Sequence, residues 1–183
     1  LAATGVTLLD CPVSGTGLQA RHKDLGVYLS GDEAAAKTCV PIVEAISKAH
    51  RYVGPFGNGS KMKYVANTLV AIHTAAAAEA LAMGVKGGLE AELIYDVISN
   101  ISPAATSPMF DVRGKLMVAH DFPAQMPLYN WKKDTTVISD FGRSVGAAMP
   151  LFNTAVELYD QARETHENDD IAAVYTVLEK GAP

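Results

Sequence analysis

A chain of 183 residues with a hydrophobic fraction of 49% is long enough for one ordinary domain, or for a helical domain with part of another attached. Its formal charge of -5 and pI near 5.5, with no block of lysine or arginine, exclude a general nucleic-acid surface and an anionic-membrane partner. The two cysteines, Cys11 and Cys39, lack CxxC spacing, and the five histidines lack ligand spacing, which points to reduced thiols, no metal site and a cytoplasmic setting.

Val6–Val13 is a short, mostly apolar run that reads as a strand closed by Pro12. The chain starts on Leu1, and Ala2 to Leu9 enters that strand almost at once, so a segment is expected upstream. After a loop at Ser14–Gly17, Leu25–Gly31 reads as a second strand. Asp32 then caps a helix from Glu33 to about Lys48, with a kink or break at Pro41, and Arg51–Val53 is a third extended piece. From about Ser60 to Val85 there is no proline, good helix formers dominate and apolar residues sit all round, which describes a spine helix buried on most faces. His73, Thr74 and Glu79 interrupt its alanine-rich stretch, so no run matches the ~18 apolar residues of a membrane span.

Gly84–Gly88 loosens the chain, and four helices follow at about 90–99, 109–120, 128–145 and 150–164. Glu164–Asp170 reads as a solvated loop in which Asp169 or Asp170 caps a last helix to about Lys180. The expected fold is mostly α: an all-helical C-terminal domain, 58–183, built on the long central helix and preceded by a small α/β piece, 1–57.

Gly15–Ala20 matches G-x-G-x-x-A after a strand, the form of a dinucleotide fingerprint. Only Leu18–Asp24 separates it from the next strand, too little for a helix that crosses back over a sheet. Pro12–Gly15 fits an anion site better, with the Ser14 hydroxyl and exposed amides able to hold a carboxylate. Lys63 and Asn67, four residues apart, project from one face of the spine helix, while Lys61 points away to solvent and Trp131 and Phe141 read as core. A lysine held partly out of water beside such a loop can exchange a proton with a substrate oxygen.

Three motifs stand in order along nearly the whole chain: Asp10-Cys11-Pro12-Val13-Ser14-Gly15, the Gly57–Asn67 stretch with Lys63 and Asn67, and Lys133-Asp134. Together they resemble the β-hydroxyacid dehydrogenases, the family of 3-hydroxyisobutyrate dehydrogenase, tartronate semialdehyde reductase and, more distantly, 6-phosphogluconate dehydrogenase. The resemblance implies Lys63 as general acid/base, Ser14, Gly15 and Asn67 as substrate ligands, and Lys133 as a residue reaching the cofactor or substrate. It implies NAD or NADP as cofactor, a small hydroxy acid or aldehyde acid as substrate, and a homodimer or higher homo-oligomer. It makes residues 1–57 the end of a Rossmann-type dinucleotide-binding domain, so that this piece alone is expected to be inactive. Thr16 stands where the family has a second glycine, glycines are also missing near Leu18 and Lys23, and Ala66 replaces an asparagine. Two other readings stand beside this one: a helical dimerisation module in which Lys63 is incidental, and an imine reductase, against which a lysine proton donor weighs.

Overall fold

The computed structural model describes residues 4–181, and two compact units divide the chain inside one long helix, between Asn67 and Thr68. The first unit holds β1 (Val13–Ser14), α1 (Gly17–Arg21), β2 (Gly26–Leu29), α2 (Glu33–Ile46), β3 (Ala49–Tyr52) and the start of α3 (Asn58–Lys86). The strands form one sheet in the order β1-β2-β3. Val13 lies opposite Val27 in the antiparallel pair, and Val27 opposite His50 in the parallel one. A parallel pair needs a crossover, and α2 supplies it. Val27 and Leu29, alternate residues of β2, are buried under Val43 of α2, with Cys11 packed beside them.

Two expectations change here. The first strand shrinks to β1 and an isolated bridge between Asp10 and Ser30. Val6 and Leu8 are 54% exposed, because no described strand pairs with this run on its other side; Ala2 lies outside the described residues. Pro41 sits inside an unbroken α2 at an exposed position, where water can satisfy the carbonyl that proline leaves without an amide.

The second unit is built of helices, with one isolated bridge, Pro127 to Asp170, among its described residues. It holds the rest of α3, then α4 (Ala91–Ile101), α5 (Pro108–Ala119), α6 (Leu128–Ser144), α7 (Pro150–His166), a 3-10 turn at Ile171–Val174 and α8 (Tyr175–Lys180). The chain is therefore mostly α, with a helical region following a small α/β piece. In α3 the residues Ala71, Thr74, Ala78 and Leu81 are buried, and the small side chain of Ala71 lets a neighbour close in: the Tyr159 hydroxyl of α7 donates to the Ala71 carbonyl at 2.7 Å. Gly84 does not loosen the helix but admits Ile94, whose Cδ1 would lie 2.6 Å from a Cβ there.

Burial of α3 is one-sided rather than general. Val65, Leu69 and Met83 are 56%, 50% and 72% exposed. By length and composition alone α3 could cross a membrane, contrary to the sequence expectation, although its buried residues are those of a core helix.

Asp170 corrects the solvated-loop reading of Glu164–Asp170. It is 1% exposed, pairs with the Arg113 Nε at 3.0 Å, and accepts from the amides of Gln125, Met126 and Ala172 at 3.1, 2.9 and 3.0 Å. One carboxylate thus joins α5, the loop before α6 and the turn before α8. Removing one partner of a buried ion pair strands the other, so Asp170→Ala is expected to cost about 3–5 kcal/mol in urea unfolding.

Candidate active site

The start of α3 has no local cap. Gly57, which precedes it at φ 92°, carries no side chain to accept from the first free amides. The acceptor comes instead from a residue fifty positions earlier in the chain. Asp10 takes the Ser60 amide on Oδ2 at 2.8 Å and the Ser60 hydroxyl on Oδ1 at 2.7 Å. The wholly buried Ser30 completes the junction: its hydroxyl donates toward Asp10 Oδ2 at 3.0 Å and accepts from the Gly59 amide at 3.0 Å. A carboxylate at a helix N-terminus also meets the positive end of the helix dipole. Burial pushes the Asp10 carboxyl up, but the Ser60 amide and hydroxyl, the Ser30 hydroxyl and the Gly57 amide together hold it below its ordinary value of 3.8.

Gly59 explains how the helix comes so near. A Cβ at this position would lie 2.7 Å from the Asp10 carbonyl oxygen, 2.8 Å from that of Tyr28 and 2.9 Å from Pro12 Cδ. Two of these three are backbone atoms and the third belongs to a rigid ring, so only glycine permits the contact. Lys63 and Asn67 follow Gly59 at steps of one helical turn on the same face. Lys63 is half-buried, and Asn67 is 6% exposed.

Ser14 ends β1, and Gly15 follows at φ 137° with Leu25 Cδ2 only 2.6 Å from where its Cβ would stand. Thr16 turns out to be a helix cap. Its hydroxyl accepts from the Gln19 amide while Gln19 Oε1 accepts from the Thr16 amide at 2.9 Å, a capping box that starts the five-residue α1. Lys23 takes a left-handed φ of 56°, a conformation suited to the glycine expected near that position.

Ser14, Gly15, Lys63 and Asn67 therefore all belong to the first compact unit. Lys133 lies on α6 of the second, 69% exposed, its ammonium 3.4 Å from Asp134 Oδ1. The turn with the G-x-G-x-x-A pattern does not fit a dinucleotide diphosphate, because the Thr16 and Gln19 amides are taken up by the capping box and α1 is too short to cross the sheet. Sequence reasoning passed over Asp10, Ser30 and Ser60 as individual groups. The available signal was a long helix entered from a glycine, which leaves its first amides in need of a distant acceptor.

Residues 57–178 match the family model described as NAD-binding of NADP-dependent 3-hydroxyisobutyrate dehydrogenase, and residues 1–54 match that of the NAD binding domain of 6-phosphogluconate dehydrogenase. This chain belongs to the β-hydroxyacid dehydrogenase family. It is 30% identical over 180 residues to L-threonate dehydrogenase of Escherichia coli O6:H1, covering 97% of this chain and 59% of that protein. It is 30% identical over 176 residues to the chloroplastic glyoxylate/succinic semialdehyde reductase 2 of Arabidopsis thaliana, covering 96% of this chain and 49% of that one. Among solved structures, 3-hydroxyisobutyrate dehydrogenase from Salmonella typhimurium superposes with a TM-score of 0.87 at 28% identity, over 97% of this chain and 62% of that one. The chain thus spans roughly half to three-fifths of the length of these relatives.

The junction makes stability depend on pH. Because the folded Asp10 carboxyl sits below its ordinary value, its contribution is complete above that value and fades as pH falls through the folded one. Urea midpoints of the parent and of Asp10→Asn are expected to differ by a constant amount above about pH 5 and to converge below about pH 4. Gly59→Ala, read by the same unfolding measurement at neutral pH, is expected to cost about 1–3 kcal/mol through overpacking.

Proposed function

We propose that this chain carries the acid-binding and proton-transferring part of an NAD(P)-dependent oxidoreductase that interconverts a small β-hydroxy acid and its aldehyde or keto acid. The observation that carries the reading is the seating of the α3 start on residues 10–12, from which Lys63 and Asn67 follow on one face while Ser14 and Gly15 lie two and three residues beyond Pro12. In this reading residues 1–57 form the end of a dinucleotide-binding domain and 58–183 the helical domain. The chain does not turn over by itself, in keeping with the share of its relatives' length that it spans.

Ser14, the Gly15 amide and the Asn67 side-chain amide hold the substrate carboxylate. A nearly buried asparagine suits that task, since its side-chain amide can donate to a carboxylate from a fixed position. Lys63 gives its proton to the carbonyl oxygen during reduction and removes it from the hydroxyl during oxidation. NAD or NADP supplies or takes the hydride, and the exposed Lys133 ammonium reaches the cofactor or substrate. The relatives named above are a dehydrogenase of threonate and a reductase of glyoxylate and succinic semialdehyde, all small molecules that carry a carboxylate. The two reduced thiols fit a cytoplasmic enzyme.

A second reading, a helical dimerisation module, is favoured by the face of α3 on which Leu69, Ala76 and Met83 recur at intervals of two turns and remain exposed. The two readings are compatible, since one chain can present a catalytic lysine and a contact with a second copy. In a form extended to a complete dinucleotide-binding domain, Lys63→Ala is expected to lower turnover by about 10²–10⁴-fold with the unfolding midpoint unchanged. Unchanged turnover would leave only the module. Sedimentation of the chain and of Leu69→Glu is expected to show a dimer and a monomer respectively, and a monomeric parent would remove the module reading.

A further inference from the structure

Along the sequence Cys11 and Cys39 are two separate thiols, twenty-eight positions apart. The fold brings their elements together. The bridge of Asp10 to Ser30 and the pair of Val13 with Val27 run in one register, which sets Cys11 opposite Leu29 and on the same face of the sheet. That face is the one α2 covers: Leu29, Val27 and Val43 form a buried cluster, and Cys11 packs against it. Cys39 precedes Val43 by one turn and so stands on the same side of α2. Both thiols are half-buried, reachable by a small reagent yet held in place. Their mutual influence is electrostatic as well: after burial, which is the main cause, and the flanking Asp10 charge, Cys39 is among the groups that push the Cys11 thiol above its ordinary value.

We propose that Cys11 and Cys39 form an oxidisable pair that closes to an internal disulfide between the β1 segment and α2. With a small disulfide such as oxidised glutathione as the oxidant, the Cys39 thiolate attacks one sulfur and expels a glutathione thiolate. Cys11 then loses its proton to solvent and attacks the Cys39 Sγ, the new S–S bond forms and the second glutathione thiolate leaves. Two protein thiols are oxidised and one glutathione disulfide is reduced to two thiols. The bond would tie α2 to the residue next to Asp10, and so to the junction that seats α3.

The test treats the full chain with oxidised glutathione and follows it by thiol titration and by peptide mapping without reductant. The titre is expected to fall from two thiols per chain to none. The Cys11 and Cys39 peptides should then appear joined, two hydrogens lighter than their sum, with no retained glutathione. Cys39→Ser should yield no joined peptide and keep its remaining thiol free or capped by glutathione. A parent chain that retains two glutathione adducts, keeps both thiols free, or links only to a second chain would overturn the proposal.

Discussion

One carboxylate decides where the longest helix of this protein begins. Asp10 takes the amide and hydroxyl of Ser60, with Ser30 bridging to the amide of Gly59, so the end of a short extended segment and the first turn of α3 are set by the same charge. Loop entropy alone would let a helix entered through Gly57 wander. A remote cap and a glycine at position 59 remove that freedom together, the first by hydrogen bonding and the second by admitting backbone contact. Lys63 and Asn67 are carried by that helix at fixed turns, so their placement follows from the junction rather than from contacts of their own loop.

Much of the fold was legible because its elements rely on local rules. Asp32 precedes a helix and does accept from the Ala35 amide. Residues 26–29 alternate as half-buried strands do. The long proline-free stretch is one helix. The errors came where a distant partner decides. Val6 and Leu8 carry strand composition but find no described strand to pair with. Asp170 lies in a polar run that reads as solvent-facing, yet Arg113, far away in sequence, draws it inside. Val65, Leu69 and Met83 are as apolar as their buried neighbours, and composition cannot tell a core face from an open one.

The site divides in the same way. Lys63 and Asn67 could be grouped by helical spacing and Ser14 with Gly15 by the strand-end turn, because each pair is close in sequence. What seats α3 on residues 10–12 could not be read, since Asp10 and Ser60 show no periodic relation and their bond exists only after folding. Thr16 illustrates the converse: a residue that departs from the family pattern near the proposed acid site finds a local role as the cap of α1.

All four residues assigned to acid binding and proton transfer lie within the first compact unit, so their joint action can be tested on the chain without any dinucleotide. Amide and side-chain resonances should be followed by nuclear magnetic resonance while a short β-hydroxy acid such as 3-hydroxyisobutyrate is added. The account requires Ser14, Gly15, Lys63 and Asn67 to shift together along one saturating curve that Asp10→Ala weakens. Shifts confined to other residues, or none from these four at saturating acid, would contradict it.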